Sequence, residues 1–447
     1  MKFGDRLQGT IEDVDDKGRG RYNVERPGSP EKSVVIPFAF PGDVVDAAFI
    51  KRDKGEWIGK IDTITKASAD RVDAPCPHAG VCGGCLWQQL SYDAQLKLKL
   101  DMINRAFTKA GHTERVANVT PSAEQFYFRN RMDYAIGWKN EIGLKEYGSW
   151  NRYIDIKECL LLDKESPKIL EIVRELMQEL HLKPWDAKHE TGDMRYVVIR
   201  LGKNTNERLV MLVVKDLNAI SETARQRISE ALSPLSTSLL IGENPLITDL
   251  SYVTSVACLK GNPFHFEEVN GVRYKIHPNS FFQTNTDMAG VLQNAVLAHV
   301  SAVKPKHVLD LYCGLGFFAI ALAKQGVSSY GHEIDAAAIE LAKENAALND
   351  VAELTDFGAG PVEDFDWSHE QPDVVILDPP RAGLHPRALN MVLDQKPEHV
   401  VYVSCNYHRL MQELTKFKGV YDVQSVQAFD LFPHTPHVEL VVKLKKK

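Results

Sequence analysis

Unbroken apolar runs, each closed by an acidic residue, a serine or a proline pair, recur along the last third of this chain. Lys306-His-Val-Leu-Asp310 leads into a glycine turn, Asp373-Val-Val-Ile-Leu-Asp378 is stopped by Pro379-Pro380, and Val400-Val401-Tyr402-Val403 empties into Ser404-Cys405-Asn406. Such runs read as strands covered on both faces, and proline can neither donate to a ladder nor continue a helix. With helix-like stretches between them, one reaching Lys324, they predict a doubly wound α/β sheet. Its strands ending at Asp310, Asp378 and Ser404 should lie side by side, opening onto one crevice. Upstream the period changes. Residues 1 to about 66 are short strands broken by Gly and Pro turns (Arg6-Leu-Gln-Gly-Thr-Ile, Ser33-Val-Val-Ile-Pro, Asp43-Val-Val-Asp-Ala-Ala-Phe-Ile), which suggests a small barrel. Residues 91–111 place Leu96, Leu98, Leu100, Ile103 and Phe107 among Lys and Asp, predicting a helix that ends at Gly111. From Tyr127 to about Tyr274, strands (Tyr196-Val-Val-Ile-Arg, Arg208-Leu-Val-Met-Leu-Val-Val) alternate with a helix from Ser166 to Leu182, an α+β middle domain.

Composition narrows this picture. At 447 residues and 44% hydrophobic content the chain can bury two or three cores. No apolar run approaches the ~20 residues that span a bilayer, and Met1-Lys-Phe-Gly-Asp lacks the apolar segment of a secretory signal, so a cytoplasmic protein is expected. Fifty-three Lys and Arg stand against 60 Asp and Glu, a net charge of -7 that does not advertise nucleic acid. If RNA is the substrate, a local cationic face must meet its phosphates. Lys17, Arg19, Arg21, Lys51, Arg52, Lys54, Arg129 and Arg131 are the candidates. Seven cysteines, an odd number, argue for thiols and metal ligands over a disulfide framework.

The candidate chemistry sits at the strand ends. Gly314-x-Gly316-x-x-Ala319, with Glu333 downstream to take ribose hydroxyls, suits a dinucleotide or S-adenosylmethionine equally. The later strand ends separate the two: Asp378 before two prolines, and Cys405 with Glu439 following it 34 residues on. A thiol with a downstream carboxylate is what attack on an electron-poor carbon, then proton removal, would require. Cys76, Cys82 and Cys85, with Cys159 remote, form a four-thiol set around Gly83 and Gly84 that zinc or an iron-sulfur cluster would accept. The first gap of five residues, with a fourth cysteine present, departs from the C-x3-C-x2-C motif of radical S-adenosylmethionine enzymes.

Taken together, Asn279-Ser-Phe-Phe-Gln283-Thr-Asn, Asp310-Leu-Tyr-Cys-Gly-Leu-Gly, Asp378-Pro-Pro-Arg, Ser404-Cys405-Asn406 and Phe432-Pro-His-Thr-Pro-His-Val-Glu439 resemble the RNA uracil-5 methyltransferases, and the three-domain 23S rRNA branch among them, over essentially the whole chain. The resemblance implies a Rossmann-like methyltransferase domain (residues 91–120 and 278–447), a central α+β domain with a 4Fe-4S cluster on the four cysteines (68–90 and 121–277), and an N-terminal oligonucleotide-binding type of β-barrel, a TRAM domain (1–67). It implies Cys405 as the nucleophile at uracil C6 and Glu439 as the base at C5, with the His434 and His437 segment holding Glu439. It implies S-adenosylmethionine contacts at Gln283, Tyr312, Gly314, Gly316, Glu333 and Asp378, and Phe281 or Phe282 stacked on an extruded uridine. Phe317 and Pro361 depart from polar residues that some relatives place there. Shorter tRNA-modifying relatives lack barrel and cluster, so 23S rRNA is the first expectation and tRNA the second. The rival readings are an amino-group methyltransferase, from which Arg381 departs by replacing the aromatic residue of its motif, and a silent RNA-binding protein.

Overall fold

In the computed structural model, which describes residues 2–26 and 29–447, the late apolar runs lie in one eight-stranded sheet. Met1 and residues 27 and 28, inside the expected barrel, lie outside the described residues. His307–Leu311 pairs in parallel with Ser328–Glu333 on one side and Val374–Leu377 on the other, and Val374–Leu377 pairs in parallel with His399–Ser404. The three expected strand ends are therefore neighbours. Val400 and Tyr402 enter one core while Val401 and Val403 enter the other, so both faces are covered, which is why these strands read as unbroken apolar runs. Beyond Ser404 the parallel order stops. Glu439–Lys446 runs antiparallel to His399–Ser404, and Tyr421–Phe429 antiparallel to Glu439–Lys446.

The helix Tyr92–Lys109 packs in the same core as the helix Tyr407–Phe417, and Val119–Thr120 extends the eight-stranded sheet by pairing with Tyr421–Phe429. Its buried face is Gln95, Lys99, Met102, Ile103, Ala106 and Phe107, whereas Leu96, Leu98 and Leu100 pack only at the edge. Two polar residues thus occupy the covered stripe. A seven-stranded, mainly antiparallel sheet carries the helices Ser166–Glu179 and Glu222–Leu232 over its own core. The hairpin His265–Val269 and Val272–Ile276 buries Val269, Val272, Tyr274 and Ile276 in the core of the eight-stranded sheet. At the N-terminus six strands between Arg6 and Lys66 surround Leu7, Ile11, Tyr22, Val34, Ile36, Val45 and Trp57. Among the described residues no helix is long and apolar enough to cross a membrane.

Candidate active site

Asp310, at the carboxyl edge of the sheet, is fully buried; one of its oxygens accepts the Ala319 amide at 3.1 Å and the other has no partner. Tyr312 (φ 68°), Gly314 (φ 54°) and Gly316 (φ 80°) turn the chain through the left-handed region. A Cβ on Gly316 would stand 2.8 Å from the Ile320 side chain, whereas one on Gly314 would meet open space. Glu333 accepts the Gly314 amide at 3.3 Å, and the Asp378 amide donates to the Leu311 carbonyl at 3.3 Å. Three carboxyl groups therefore surround one glycine turn. Burial first, then the neighbouring negative charge, pushes Asp310 up to about 8 and Asp378 up to about 7. Such a pocket favours a ligand that brings positive charge. Gln283 is buried on the segment before the helix Thr286–Ser301, where its carbonyl accepts the Asn130 side-chain amide at 2.8 Å.

Cys405 and Glu439 meet at the next strand end. The last residue pair between their strands is Ser404 with Leu440, so one step further the chains carry Cys405 and Glu439 opposite each other. Cys405 lies just past the end of its strand, close enough for the Glu439 charge to act on its thiol. Glu439 is 5% exposed and Cys405 is half-buried. Burial, then Glu439 and Asp378, pushes the thiol up to about 12 against the pull of Arg381. Glu439 is raised well above its ordinary value by burial and by Asp378, again opposed by Arg381. Thiol, two acids and a guanidinium thus form one electrostatic unit. Arg381 had no catalytic role in the sequence reading, although its place directly after Asp-Pro-Pro was a usable signal. The Asn406 side chain donates to the Arg381 carbonyl at 3.0 Å and Arg409 to the Ala382 carbonyl at 2.8 Å, which ties the Asp378 loop to the Cys405 turn.

The segment before Glu439 is held from a distant part of the chain. Lys99 donates to Asp430 at 2.5 Å and to the Phe432 carbonyl at 3.1 Å, and Tyr92 donates to Asp430 at 2.9 Å. Gln95 accepts the His434 amide at 2.8 Å, and the His434 ring lies 4.5 Å from Phe126 and 2.9 Å from the Gln125 carbonyl. Burial pulls His434 and His437 down to about 4, so both rings are neutral at pH 7. The Lys99 and Asp430 side chains are both 0% exposed. Removing one partner of a buried pair strands the other charge, so Lys99→Met is expected to cost about 3–5 kcal/mol of stability. Thermal unfolding checks this, and a melting temperature equal to that of the wild type would refute it.

All seven cysteines are free, and Cys76, Cys82, Cys85 and Cys159 line one small apolar cavity. Burial raises all four thiols; the neighbouring cysteines raise Cys82, Cys85 and Cys159 further, and Glu158 does so for Cys76. Among the described residues no three His, Cys, Asp or Glu side chains are grouped so as to hold a metal ion. His78 accepts the Lys157 amide at 3.2 Å. The expected cationic face is smaller than its sequence suggested. Arg19 is 5% exposed and bonded to Asp15 and Glu56, Arg21 to Asp13, and Arg131 to Asp133, so internal carboxylates occupy these guanidiniums. Lys51, Arg52 and Lys54 remain exposed. Phe282 belongs to the core beside Tyr274, whereas Phe281 is 72% exposed and free to meet a ligand.

Residues 91–357 and 361–447 match the family model described as tRNA (Uracil-5-)-methyltransferase. The chain is 36% identical to a Pyrococcus horikoshii tRNA (uracil(54)-C(5))-methyltransferase, over 98% of this chain and 100% of that protein. It is 31% identical to a Pyrococcus abyssi 23S rRNA (uracil(747)-C(5))-methyltransferase, over 99% and 100%. The crystal structure of the Pyrococcus abyssi tRNA (uracil-54, C5)-methyltransferase with S-adenosyl-L-homocysteine superposes with a TM-score of 0.81 at 33% identity, covering 98% of this chain and 100% of that one.

Proposed function

The chain belongs to the RNA uracil-5 methyltransferase family, and from that premise we propose that it transfers a methyl group from S-adenosylmethionine to C5 of a specific uridine through a covalent bond between Cys405 and C6. The observation that carries this reading is the register that sets Cys405 against Glu439 beside the acid-lined glycine turn. Cys405 gives up its S–H proton to solvent as Sγ bonds to C6, and the C5–C6 double-bond electrons move toward C5 and the C4 carbonyl, making C5 nucleophilic. Bound S-adenosylmethionine supplies an electrophilic methyl group. Glu439 then takes the C5 proton, the double bond re-forms, and the C6–S bond breaks. Arg381, beside both groups, offsets the negative charge of the thiolate and of the Glu439 carboxylate.

Asp310, Glu333 and Asp378, with Gly314, Gly316, Tyr312 and Gln283, are assigned to the cofactor, whose cationic sulfonium suits three clustered acids and an unpartnered Asp310 oxygen. A pH dependence follows. Unfolded aspartate titrates near 3.8, and in the folded protein Asp378 and Asp310 hold their protons to about 7 and about 8. The unliganded protein therefore loses stability as pH rises from about 4 to 8, because the unfolded state has already released those protons. A cationic ligand favours the ionised forms, so its binding should release protons and tighten as pH climbs from about 6 to 8. Calorimetry in buffers of different ionisation heat measures this, and an affinity flat across that range would remove the two aspartates from the site.

The four cysteines are assigned to a 4Fe-4S cluster. The assignment rests on the chemistry of their all-sulfur donor set around one apolar cavity, although the thiols are not drawn together closely enough to hold a metal ion in this structure, and the cluster would clamp the 76–85 loop to the Cys159 loop. The domain division 1–67, 68–90 with 121–277, and 91–120 with 278–447 is part of the proposal, as is action in the cytoplasm. The RNA is 23S rRNA in the first reading. Barrel and cysteines do not separate it from tRNA, because relatives named for each RNA are matched over 98% and 99% of this chain, and the tRNA-named relative is the more identical. That identity favours tRNA as the second reading. Methyl transfer to 23S rRNA fragments and to tRNA, each assayed with its candidate uridine replaced by cytidine, decides between them. Absence of transfer to both would overturn the function.

A further inference from the structure

The N-terminal barrel touches the catalytic segment through one turn. Asp15 accepts the Arg19 amide at 2.8 Å, bonds the Arg19 guanidinium and, through its carbonyl, accepts the Gly18 amide at 2.8 Å, so the turn is fixed internally. Gly18 has a φ of 75°, and a Cβ there would stand 2.7 Å from Pro436 and 2.9 Å from the Trp87 ring. Trp87, 0% exposed, donates its ring N–H to the Gly18 carbonyl at 2.7 Å and its backbone N–H to the His434 carbonyl at 2.9 Å. One buried side chain thus spans barrel and catalytic segment. On the other side of the turn, Asp16 lies 3.6 Å from His408, three residues after Cys405.

We propose that the Asp15–Arg19 turn of the barrel is part of the support of the catalytic centre, with Gly18 and Trp87 as positioning residues that set the Phe432–Glu439 segment through His434 and Pro436. The barrel then contributes to turnover as well as to RNA grip. His434 and Pro436 precede Glu439 by five and three residues, and the chain between them is buried at Val438, so a shift at the turn passes to the carboxylate. The proposal rests on the assignment of Glu439 to proton removal. A base displaced by a fraction of an ångström loses rate without weakening RNA binding.

The test uses full-length Trp87→Phe, which deletes the ring N–H, and Gly18→Ala, which pushes on Pro436 and Trp87. Steady-state kinetics with RNA are combined with denaturing gels on ordinary uridine RNA and on 5-fluorouridine RNA. The expected result is a fall in kcat of roughly tenfold to a hundredfold with KM within about twofold, together with an accumulating adduct on ordinary uridine RNA, because elimination slows. Adduct formation on 5-fluorouridine RNA, which needs Cys405 but not Glu439, should persist. A raised KM with unchanged kcat would overturn the proposal, since the turn would then serve RNA grip alone. Loss of the 5-fluorouridine adduct in both variants would also overturn it, because the turn would then serve folding generally. Normal turnover by Glu439→Gln, measured in parallel, would instead strike the underlying mechanism.

Discussion

Cys405→Ala is expected to form no denaturation-stable adduct with 5-fluorouridine RNA in the presence of S-adenosylmethionine, and to lose roughly 10⁴–10⁶-fold in turnover, the scale seen when a covalent nucleophile is removed. The wild-type protein should trap, because fluorine at C5 cannot leave as a proton and the C6–S bond therefore cannot break. In the free protein the thiol is pushed up to about 12, first by burial and then by Glu439 and Asp378. Only about one Cys405 in 10⁵ is then ionised at pH 7, so proton loss must accompany attack on the ring. That proton passes to solvent at the half-buried thiol, which leaves Glu439 on the neighbouring strand for the C5 proton. The same elevation predicts slow alkylation of Cys405 by iodoacetamide at pH 7. An adduct surviving in the alanine variant would end the covalent reading, and amino-group methylation would take its place.

Glu439→Gln carries the second large effect, and it has the opposite sign on the gel. The amide has the shape of the carboxylate but cannot take the C5 proton, so methyl transfer proceeds and elimination stalls. The variant should accumulate a methylated covalent adduct on ordinary uridine RNA, where the wild type shows none. Turnover should fall by about 10²–10⁴-fold, the contribution of one positioned acid or base. Rapid-quench gels with methyl-labelled cofactor measure both quantities. Normal turnover would remove Glu439 from the chemistry and leave Asp378, the other raised carboxyl beside Cys405, as the base to examine. Folding is not at issue in the same way as for Lys99→Met, because Glu439 has no ion-pair partner of its own among the described residues, whereas Lys99 and Asp430 form a fully buried pair.

Much of the fold could be read from local pattern. The strands through Asp310, Asp378 and Ser404 were recognisable because sheet strands buried on both faces admit only apolar residues, and because prolines and glycines mark where ladder or helix must stop. The helix at Tyr92–Lys109 was recognisable by its length and its closing glycine, but nothing in its own residues marked Gln95 and Lys99 as part of the covered stripe beside Ile103 and Phe107. A polar residue inside a core is legible only with its partner, and Asp430 lies 331 positions away. Arg19 illustrates the converse. In sequence it is a cation available for phosphate; in space Asp15 and Glu56 have already taken it.

The order of the amino acids by itself determined the parallel sheet, its glycine turn, the thiol at a strand end and the four-cysteine set, because each is written in a short window by backbone and burial constraints that act within a few residues. Tertiary structure alone decided that Glu439 faces Cys405 through an antiparallel strand, that Arg381 joins them, and that Lys99, Trp87 and Gly18 brace the segment between. These contacts depend on strand register and on chain reversals hundreds of residues apart, and a change of one residue in register would turn every side chain on that strand to the opposite face.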